Sequence, residues 1–483
     1  MKKTGIDLIP KHKNPTPDYY CTWQTQLYAT SDGKPEGQRA IIGEKALFDM
    51  EKPFGWAYFY EKAREDLFFV MDDSWDVSLC GERKEFGSLI LNAEKFPDAT
   101  ADAKNNAEAI GRLCKKMHSL GWKGLGGWVC AEEAEGAAEA PESYWKKRLQ
   151  EANEAGFAYW KVDWGKKGTD LSFRRMLTAL AKEYAPHLTV EHAMLPEIIR
   201  DADVFRTYDV PALMSIPMTM EKLSALSAYD GGLINCEDEV YMAAAGGFAM
   251  GVMRHPYDGA FPDGKADMSF PSIHRNCKTK MTEIMRAVRF HRIAPAFSGA
   301  FQASDTRFCD TWRFSRADEE MESWWFENPL LKNDVKDGVL TRKAPAMLAR
   351  NCDFPKIVPD EKGDAPFVVI SRNPNGVFAV ATLGRTRERD YWIPRCDLEL
   401  EMQDADTVGV FGAYRRLILH TARTEIRSVL MQDLAGACAY DVTDAVTFSG
   451  GTLTIDGALI ETIGREENPS GDTSEAGVLL KIQ

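Results

Sequence analysis

The sequence contains no long apolar run. No stretch approaches the roughly 18 consecutive apolar residues that a membrane-spanning helix needs, so we expect no membrane partner. The first residues, MKKTGIDLIPKHKNP, are basic but lack the apolar segment of a signal peptide. We therefore expect a cytoplasmic location.

Cysteine motifs and glycine-rich phosphate loops are also missing. The ten cysteines are scattered, and none of them forms a CxxC pair, which argues against a zinc knuckle and against a dense disulfide framework. Reduced thiols are the default for such a chain in the cytoplasm. The stretch GLGGW lacks the GxGxxG spacing, so we assign it no nucleotide-binding role.

An excess of basic residues is absent as well. Lysine and arginine number 59 against 73 aspartates and glutamates, which gives a net charge of −14. An acidic chain repels phosphate backbones, so nucleic acid is excluded as an expected partner. The oligomeric state stays open at this point, a homo-oligomer included.

Short apolar runs alternate with amphipathic helical stretches over residues 19 to 300. The candidate strands are YYCTWQ (19–24), DLFFVM (66–71), GLGGWV (124–129), FAYWKVD (157–163), HLTVEH (187–192), DVFRT (203–207) and GLINC (232–236). Repeated strand–helix units indicate a parallel sheet, and seven or eight of them favour a (β/α)8 TIM barrel over the alternative, a doubly wound open sheet. The prediction is an α/β chain with its catalytic barrel in residues 1–360.

The pattern changes in residues 361–483, which consist of short β runs with glycine and aspartate turns. FVVISRNPNGVFAVATLG (367–384) is typical of two strands joined by a tight turn. Helical periodicity is weak there. We predict a C-terminal antiparallel β-sandwich.

Charged side chains follow several of the candidate barrel strands. In FFVMDDSWD (68–76), an apolar strand leads directly into Asp72 and Asp73. A core does not accommodate unpaired carboxylates, because burying such a charge is costly. The carboxyl ends of barrel strands form the active-site face, so these residues are candidates for a functional role.

The side chains at these strand ends suit a sugar substrate. Cleavage of a glycosidic bond needs two carboxyl groups, and sugar hydroxyls need paired donors and acceptors. Asp163 ends the apolar strand YWKVD, and we interpret it as the nucleophile. Lys161 is two residues earlier and points to the same side of the strand, where its charge would keep a neighbouring carboxylate ionised.

Five motifs, in the same order, resemble the α-galactosidase (melibiase) superfamily of glycoside hydrolase families 27 and 36. They are CTW (21–23), MDDSWD (71–76), WKVDW (160–164), VEHAM (190–194) and FRTYD (205–209). They are similar to the tryptophan of the first strand, the aspartate pair, the K-x-D nucleophile, the segment after the fifth strand and the acid/base segment. The resemblance implies a barrel followed by a β-sandwich, as the pattern predicts.

The resemblance also implies roles for individual residues. The chain would be a retaining α-glycosidase in which Asp163 is the nucleophile and Asp209 the acid/base. The remaining site residues would bind the sugar: Asp72, Asp73 and Lys161 at the 4-, 6- and 3-hydroxyls, Glu191 and Arg206 at the 2-hydroxyl, and Trp23 and Trp128 as lining. No metal or cofactor is expected, because both carboxylates act directly on the bond.

Several alternatives remain open. In the resembled family a bulky residue three positions after the glutamate goes with galactose, so Met194, three residues after Glu191, would favour galactose over N-acetylgalactosamine. The sugar could also be L-arabinopyranose. A galactosyltransferase and a catalytically silent galactose-binding protein are further alternatives. The arginine-to-aspartate spacing in RTYD is short, so Asp203 is a second candidate for the acid/base. His192 is interpreted as a hydrogen-bonded histidine at the barrel mouth rather than a metal ligand.

Overall fold

The computed structural model describes most of the chain. The described residues are 1–30, 35–79, 82–207, 215–229, 231–256, 280–299, 302–303, 309–314, 335–336, 339–387 and 390–483. In these ranges no helix is both long and apolar enough to cross a membrane.

Eight parallel strands form a barrel in the first part of the chain. Strands are numbered in chain order, and β1 (Lys2–Lys3) precedes the barrel. The barrel strands are β2 (Tyr19–Cys21), β3 (Phe68–Met71), β4 (Gly124–Val129), β5 (Tyr159–Val162), β6 (Thr189–His192), β7 (Val204–Arg206), β8 (Leu233–Asn235) and β9 (Gly251–Val252). Strands β2 to β8 pair in sequence, and β9 pairs with β2. A parallel bridge between Asn235 and Ala249 joins the last two strands, so the predicted TIM barrel is confirmed.

Aromatic side chains and glycines together fill the barrel interior. The rings of Tyr19 and Tyr159 lie 5.0 Å apart, inside a small cluster separate from the main core. A Cβ atom on Gly126 would lie 2.5 Å from Tyr159 Cβ, and one on Gly251 would lie 2.4 Å from the Tyr19 ring. Both positions therefore require glycine, because a larger residue would collide with the neighbouring tyrosine.

Helices surround the barrel. They are α1 (Trp23–Ala29), α2 (Pro35–Ile41), α3 (Glu44–Phe48), α4 (Pro97–Thr100), α5 (Asn106–Ser119), α6 (Pro141–Ala155), α7 (Leu171–Tyr184), α8 (Ser215–Leu226), α9 (Val240–Gly246) and α10 (Thr282–His291). Short 3-10 helices cover Trp56–Tyr58, Arg64–Asp66, Arg83–Glu85, Pro196–Arg200 and Thr443–Ala445. Helix α6 begins at Pro141, and Gly156 caps its end with a left-handed φ of 73°, a combination typical of helix termini.

The remaining strands lie in the C-terminal half. They are β10 (Gln302–Ala303), β11 (Cys309–Phe314), β12 (Val335–Lys336), β13 (Val339–Pro345), β14 (Met347–Arg350), β15 (Lys356–Val358), β16 (Phe367–Arg372), β17 (Phe378–Leu383), β18 (Arg385–Arg387), β19 (Asp390–Trp392), β20 (Asp397–Gln403), β21 (Thr407–Phe411), β22 (Arg416–Thr421), β23 (Val429–Asp433), β24 (Tyr440–Asp441), β25 (Thr447–Ser449), β26 (Thr452–Asp456) and β27 (Gly477–Ile482). Helix α11 (Gly457–Gly464) follows β26.

Two of these sheets pack into the predicted sandwich. The nine-stranded sheet has the order β1-β24-β23-β27-β21-β17-β16-β14-β10, and the five-stranded sheet has the order β15-β20-β22-β26-β25. Apolar residues of both sheets form one cluster. Most pairs are antiparallel, but β14–β16, β17–β21 and β20–β22 run parallel. The domain boundary at residue 360 stays a prediction, and the larger sheet takes strands from both sides of it.

Helix α9 lies between the barrel and the larger sheet. All seven of its residues are buried. It packs on strands β16, β17 and β21, and the main apolar core contains residues of the barrel, of this helix and of the sheet. A helix that is apolar on every side requires cover on every side.

Candidate active site

The predicted site residues meet at the carboxyl ends of the barrel strands. Trp128, Lys161 and Glu191 are register partners on β4, β5 and β6. Asp72 and Asp73 follow β3, Asp163 follows β5 and Arg206 ends β7, and all of these residues are buried. Adjacent parallel strands bring their ends to one edge, which explains why residues distant in sequence converge here.

Asp72 and Lys161 form a buried ion pair with Cys21 beside it. Lys161 Nζ lies 2.6 Å from Asp72 Oδ2, and the Cys21 thiol donates to the same oxygen over 2.9 Å. Lys161 Nζ also lies 3.5 Å from Cys21 Sγ. Sequence reasoning missed Cys21, although its place in the CTW motif marks it.

Asp163 is held by groups from three other elements. The Trp128 indole N–H donates to Asp163 Oδ2 over 2.9 Å, and Arg206 Nη2 lies 3.2 Å from Oδ1. Burial opposes ionisation, but Arg206, Lys161, the indole N–H and Arg174 more than offset it, so the pKa of Asp163 lies below its ordinary value. Oδ1 accepts no hydrogen bond from the described residues. The site thus holds an anionic carboxylate whose Oδ1 faces the Arg206 guanidinium.

Arg206 is the central cation of the site. Its three nitrogens lie 3.2 Å from Asp163, 3.4 Å from Glu191 and 3.6 Å from Glu237. Its burial opposes the charge, but the surrounding carboxylates raise its pKa well above the ordinary value. Glu237 follows β8 and was absent from the predicted set. The acidic run after GLINC is the signal that could have found it.

Glu191 is fully buried, and both of its oxygens are engaged. Oε1 accepts from the Tyr19 hydroxyl over 3.1 Å, while Oε2 accepts from Tyr159 over 2.9 Å and from Asn235 over 2.6 Å. Burial raises its pKa, although Arg206 opposes the shift. These contacts fit a carboxylate that holds Arg206 in place, and the predicted contact with a sugar hydroxyl stays a prediction.

Asp73 lies at the edge of the site against Arg39 from α2. Ser74 Oγ donates to Oδ1 over 2.6 Å, and Arg39 Nε lies 3.2 Å from Oδ2. Burial raises the pKa of Asp73 to about 6, against the opposing charge of Arg39. The Arg39 guanidinium also lies over the rings of Phe86 and Trp164, 5.1 and 5.6 Å from their centres. An aromatic-lined arginine thus borders the predicted sugar site.

Three turns at this face carry non-glycine residues with left-handed backbones. Ser74 has φ 82°, Met194 has φ 72° and Glu237 has φ 51°. Such conformations cost roughly 1–3 kcal/mol each, and they persist only where the surrounding structure enforces them. Their position after β3, β6 and β8 places this strain around the mouth of the barrel.

The tryptophans have distinct roles. The indole N–H of Trp75 donates to the Trp128 carbonyl over 2.9 Å, so Trp75 supports the wall behind Trp128. Trp164 is partly buried, with its ring 5.3 Å from that of Trp128. Trp23 lies at the start of α1 rather than inside the predicted strand 19–24, which ends at Cys21. It packs half-buried on the barrel's interior cluster.

The structure describes only one of the two acid/base candidates. Asp209 lies outside the described residues, so its role stays a prediction. Asp203 precedes β7 and its Oδ2 accepts from the Val190 backbone N–H, which places it at the opposite, amino-terminal end of that strand. Among the described residues, no group of three or more His, Cys, Asp or Glu side chains could hold a metal ion.

Solved structures of α-galactosidases are among those similar to this chain. No family model and no curated protein matches it. An α-galactosidase from Saccharomyces cerevisiae is similar at a TM-score of 0.40 and 9% identity, over 97% of this chain and 98% of that one. A putative α-galactosidase from Bacteroides fragilis has a TM-score of 0.40 and 13% identity over 74% and 72%. A putative α-N-acetylgalactosaminidase from Bacillus halodurans has a TM-score of 0.41 and 9% identity over 97% of both chains. At these TM-scores and identities, the similarity does not identify the reaction of this chain.

Proposed function

We propose that this chain is a retaining α-glycosidase that hydrolyses terminal α-D-galactosyl residues. The observation that carries the proposal is Asp163, an anionic carboxylate at the end of β5. Its Oδ2 accepts from Trp128, and its Oδ1 faces Arg206 at 3.2 Å and accepts no hydrogen bond from the described residues. A nucleophilic carboxylate must be ionised at working pH, and Arg206 and Lys161 supply the charge that keeps it so.

In the first step Asp163 Oδ1 attacks the anomeric carbon and the bond to the leaving oxygen breaks. Asp209, the acid/base proposed from the sequence, gives its proton to that oxygen. The product is a covalent β-galactosyl ester on Asp163. In the second step Asp209 removes a proton from water, which attacks the same carbon and releases α-galactose and free Asp163.

The groups beside Asp163 fit the binding of sugar hydroxyls. Asp72 and Lys161 offer an acceptor and a donor 2.6 Å apart, which suits adjacent hydroxyls of one ring. Asp73 supplies a further acceptor at the edge of the site. Arg206 would contact the 2-hydroxyl, with Glu191 fixing the guanidinium from behind.

The test compares hydrolysis of 4-nitrophenyl α-D-galactopyranoside by wild type and by Asp163→Asn. Asp201→Asn is the matched control, because Asp201 is an exposed surface carboxylate paired with Arg175. We expect turnover by wild type and the control but not by Asp163→Asn, with α-galactose as the first product seen by NMR. Turnover by Asp163→Asn, or β-galactose as the first product, would overturn the mechanism.

The same assay separates the other sugars. A wild-type protein that ignores the galactoside but cleaves the matching N-acetylgalactosaminide or L-arabinopyranoside would keep the mechanism and change the substrate. A protein that binds galactose but cleaves none of these glycosides would replace the enzyme with a galactose-binding protein.

A further inference from the structure

Arg174 is a fully buried arginine on α7, behind the nucleophile rather than in front of it. Its guanidinium donates from Nη2 to the Asp163 carbonyl over 2.9 Å and from Nε to the Gly168 carbonyl over 2.8 Å. Nη1 lies 3.4 Å from the Val162 carbonyl. One side chain thus fixes the backbone on both sides of the loop that follows β5.

The loop after β5 is also constrained by its close contact with the segment after β4. Gly165 has φ 154°, and a Cβ atom there would lie 2.6 Å from the backbone of Ala131. The loop therefore runs in direct contact with the segment after β4. A planar guanidinium can serve several carbonyls at fixed angles, which a lysine ammonium cannot do from one position.

Arg174 also reaches the end of the next strand. Its Nη1 lies 3.0 Å from His192 Nδ1, and His192 Nε2 lies 2.8 Å from Thr178 Oγ1. The Thr178 hydroxyl donates back to the Arg174 carbonyl over 2.9 Å, so it accepts from the ring and the histidine proton is on Nε2. Burial, followed by the charge of Arg174, lowers the pKa of His192 well below its ordinary value, which keeps the ring neutral.

The contacts of Arg174 with the β5 loop and with His192 both lead to Asp163. His192 follows Glu191, which holds Arg206, and Arg206 faces Asp163 Oδ1. Arg174 therefore sets the backbone of the nucleophile and, through β6, the backbone beside the residue that positions the opposing arginine.

We propose that Arg174 is a positioning residue for the nucleophile Asp163, acting through the backbone of the β5 loop and through His192. This inference rests on the proposed function, because it assigns Asp163 the nucleophilic role. Arg174 contacts backbone carbonyls and a histidine ring behind the site, so its effect reaches the reaction only through Asp163 and Arg206.

The charges around Asp163 make the positioning role of Arg174 measurable through the pH dependence of kcat/KM. The charges that face Asp163 are Arg206 from β7, Lys161 from β5 and Arg174 from α7. Carboxylates share these cations: Glu191 and Glu237 contact Arg206, and Asp72 contacts Lys161. Removing the Arg174 charge moves the pKa of Asp163 upward, so the acid limb of kcat/KM moves to higher pH.

The experiment compares Arg174→Lys and Arg174→Met with Arg175→Lys and Arg175→Met. Arg175 is the adjacent residue on the same helix, but its side chain is 54% exposed and pairs with Asp201 at the surface. We expect kcat to fall about 10²-fold in both Arg174 variants, the scale of a 1 Å misplacement at a reacting centre, with little change in KM. Arg174→Met alone also moves the acid limb, because Arg174→Lys keeps the positive charge. The Arg175 variants keep wild-type kcat and pH profile.

Thr178→Val provides a variant that keeps the buried charge. It breaks the ring of hydrogen bonds at the far end from Asp163, and we expect a smaller loss of kcat with the acid limb unmoved. Thermal unfolding of each variant separates loss of activity from loss of fold.

The outcomes are distinguishable. Wild-type kcat and pH profile in folded Arg174→Lys and Arg174→Met would overturn the positioning role while leaving the glycosidase in place. Losses that only track the unfolded fraction, with an unmoved limb in Arg174→Met, would overturn it too. A wild-type protein without glycoside turnover would overturn the proposed function itself, and this inference with it.

Discussion

The ammonium group of Lys161 lies 2.6 Å from Asp72 Oδ2, and neither side chain is more than 4% exposed. Removing one member of a buried pair leaves the other as an uncompensated charge, which costs about 3–5 kcal/mol. We expect Lys161→Met and Asp72→Asn each to lower the free energy of unfolding by about that amount, and the double variant to lose less than the sum of the two. Urea unfolding of all four proteins measures it.

The surface pair Lys356–Glu399 is the control for that cycle. Its nitrogen and oxygen atoms lie 3.1 Å apart, but the lysine side chain is 70% exposed. We expect Lys356→Met to change stability by less than about 1 kcal/mol. Additive losses at Lys161 and Asp72 would mean that the two groups do not stabilise each other.

Trp128 tests the hydrogen bond to the nucleophile. Trp128→Phe removes the indole N–H that donates to Asp163 Oδ2. Because that bond favours the carboxylate, we expect the pKa of Asp163 to rise and the acid limb of kcat/KM to move to higher pH. Trp145→Phe is the matched control, since its buried indole donates to Glu133 over 2.8 Å rather than to Asp163. It should lower the Tm without moving the limb. An equal shift in both variants would contradict the assignment.

The Arg39→Gln variant tests whether titration of Asp73 governs the pH dependence of KM. Burial raises the pKa of Asp73 to about 6, and Arg39 opposes that shift. Below this pH Asp73 carries a proton and loses acceptor capacity, so we expect the KM for the galactoside to rise as pH falls through about 6. Arg39→Gln removes the opposing charge, raises the pKa of Asp73 further and moves that rise in KM to higher pH.

Arg112→Gln serves as the comparison for Arg39. Arg112 lies on α5 and pairs with Glu108 on the same helix face. Its KM profile should match wild type. A profile in Arg39→Gln that keeps its inflection in place would show that Asp73 does not govern binding.

Asp76 predicts a pH dependence of stability. Burial raises its pKa to about 7 from the ordinary 3.8, while the Leu89 backbone N–H opposes the shift. Asp76 Oδ1 has no hydrogen-bond partner among the described residues. The folded state binds this proton more tightly than the unfolded chain does. The contribution to stability is therefore full below 3.8, falls as pH rises towards 7 and is lost above it.

Asp76→Asn removes this titration. We expect the Tm of the variant, relative to wild type, to be higher at pH 8 than at pH 5. Asp98→Asn, at an exposed position on α4, should show no such difference. Equal Tm differences at both pH values for Asp76→Asn would show that Asp76 does not titrate in this window.

The sequence alone was sufficient for the parts of the fold that repeat. Strand–helix alternation predicted the barrel. Because parallel strands align their ends, it also predicted that Asp72, Asp163 and Arg206 would lie together, and their roles in a reaction stay predictions. Prediction from the sequence failed for contacts that depend on tertiary packing. Arg286 on α10 is fully buried against Asp433, with both nitrogen–oxygen distances at 2.8 Å, and no local sequence pattern reveals that contact.

Arg174 and Arg39 differ in how visible their roles are in the sequence. Arg174 falls on the same helical face as Leu177, Thr178 and Ala181, so a charge on an apolar stripe was visible. Arg39 lies on a seven-residue helix, which is too short to show a period. Only the fold reveals that Arg39 reaches Asp73.

Helix α9 bears on whether the barrel and the sandwich can fold separately. All seven of its residues are buried, and six of them, Val240 to Ala245, belong to the same apolar core as the barrel and the nine-stranded sheet. Deleting the sandwich would leave the helix facing water on an apolar side, so the barrel is not a separable module. We therefore expect the barrel and the nine-stranded sheet to unfold as one cooperative unit, because the helix between them needs cover from both.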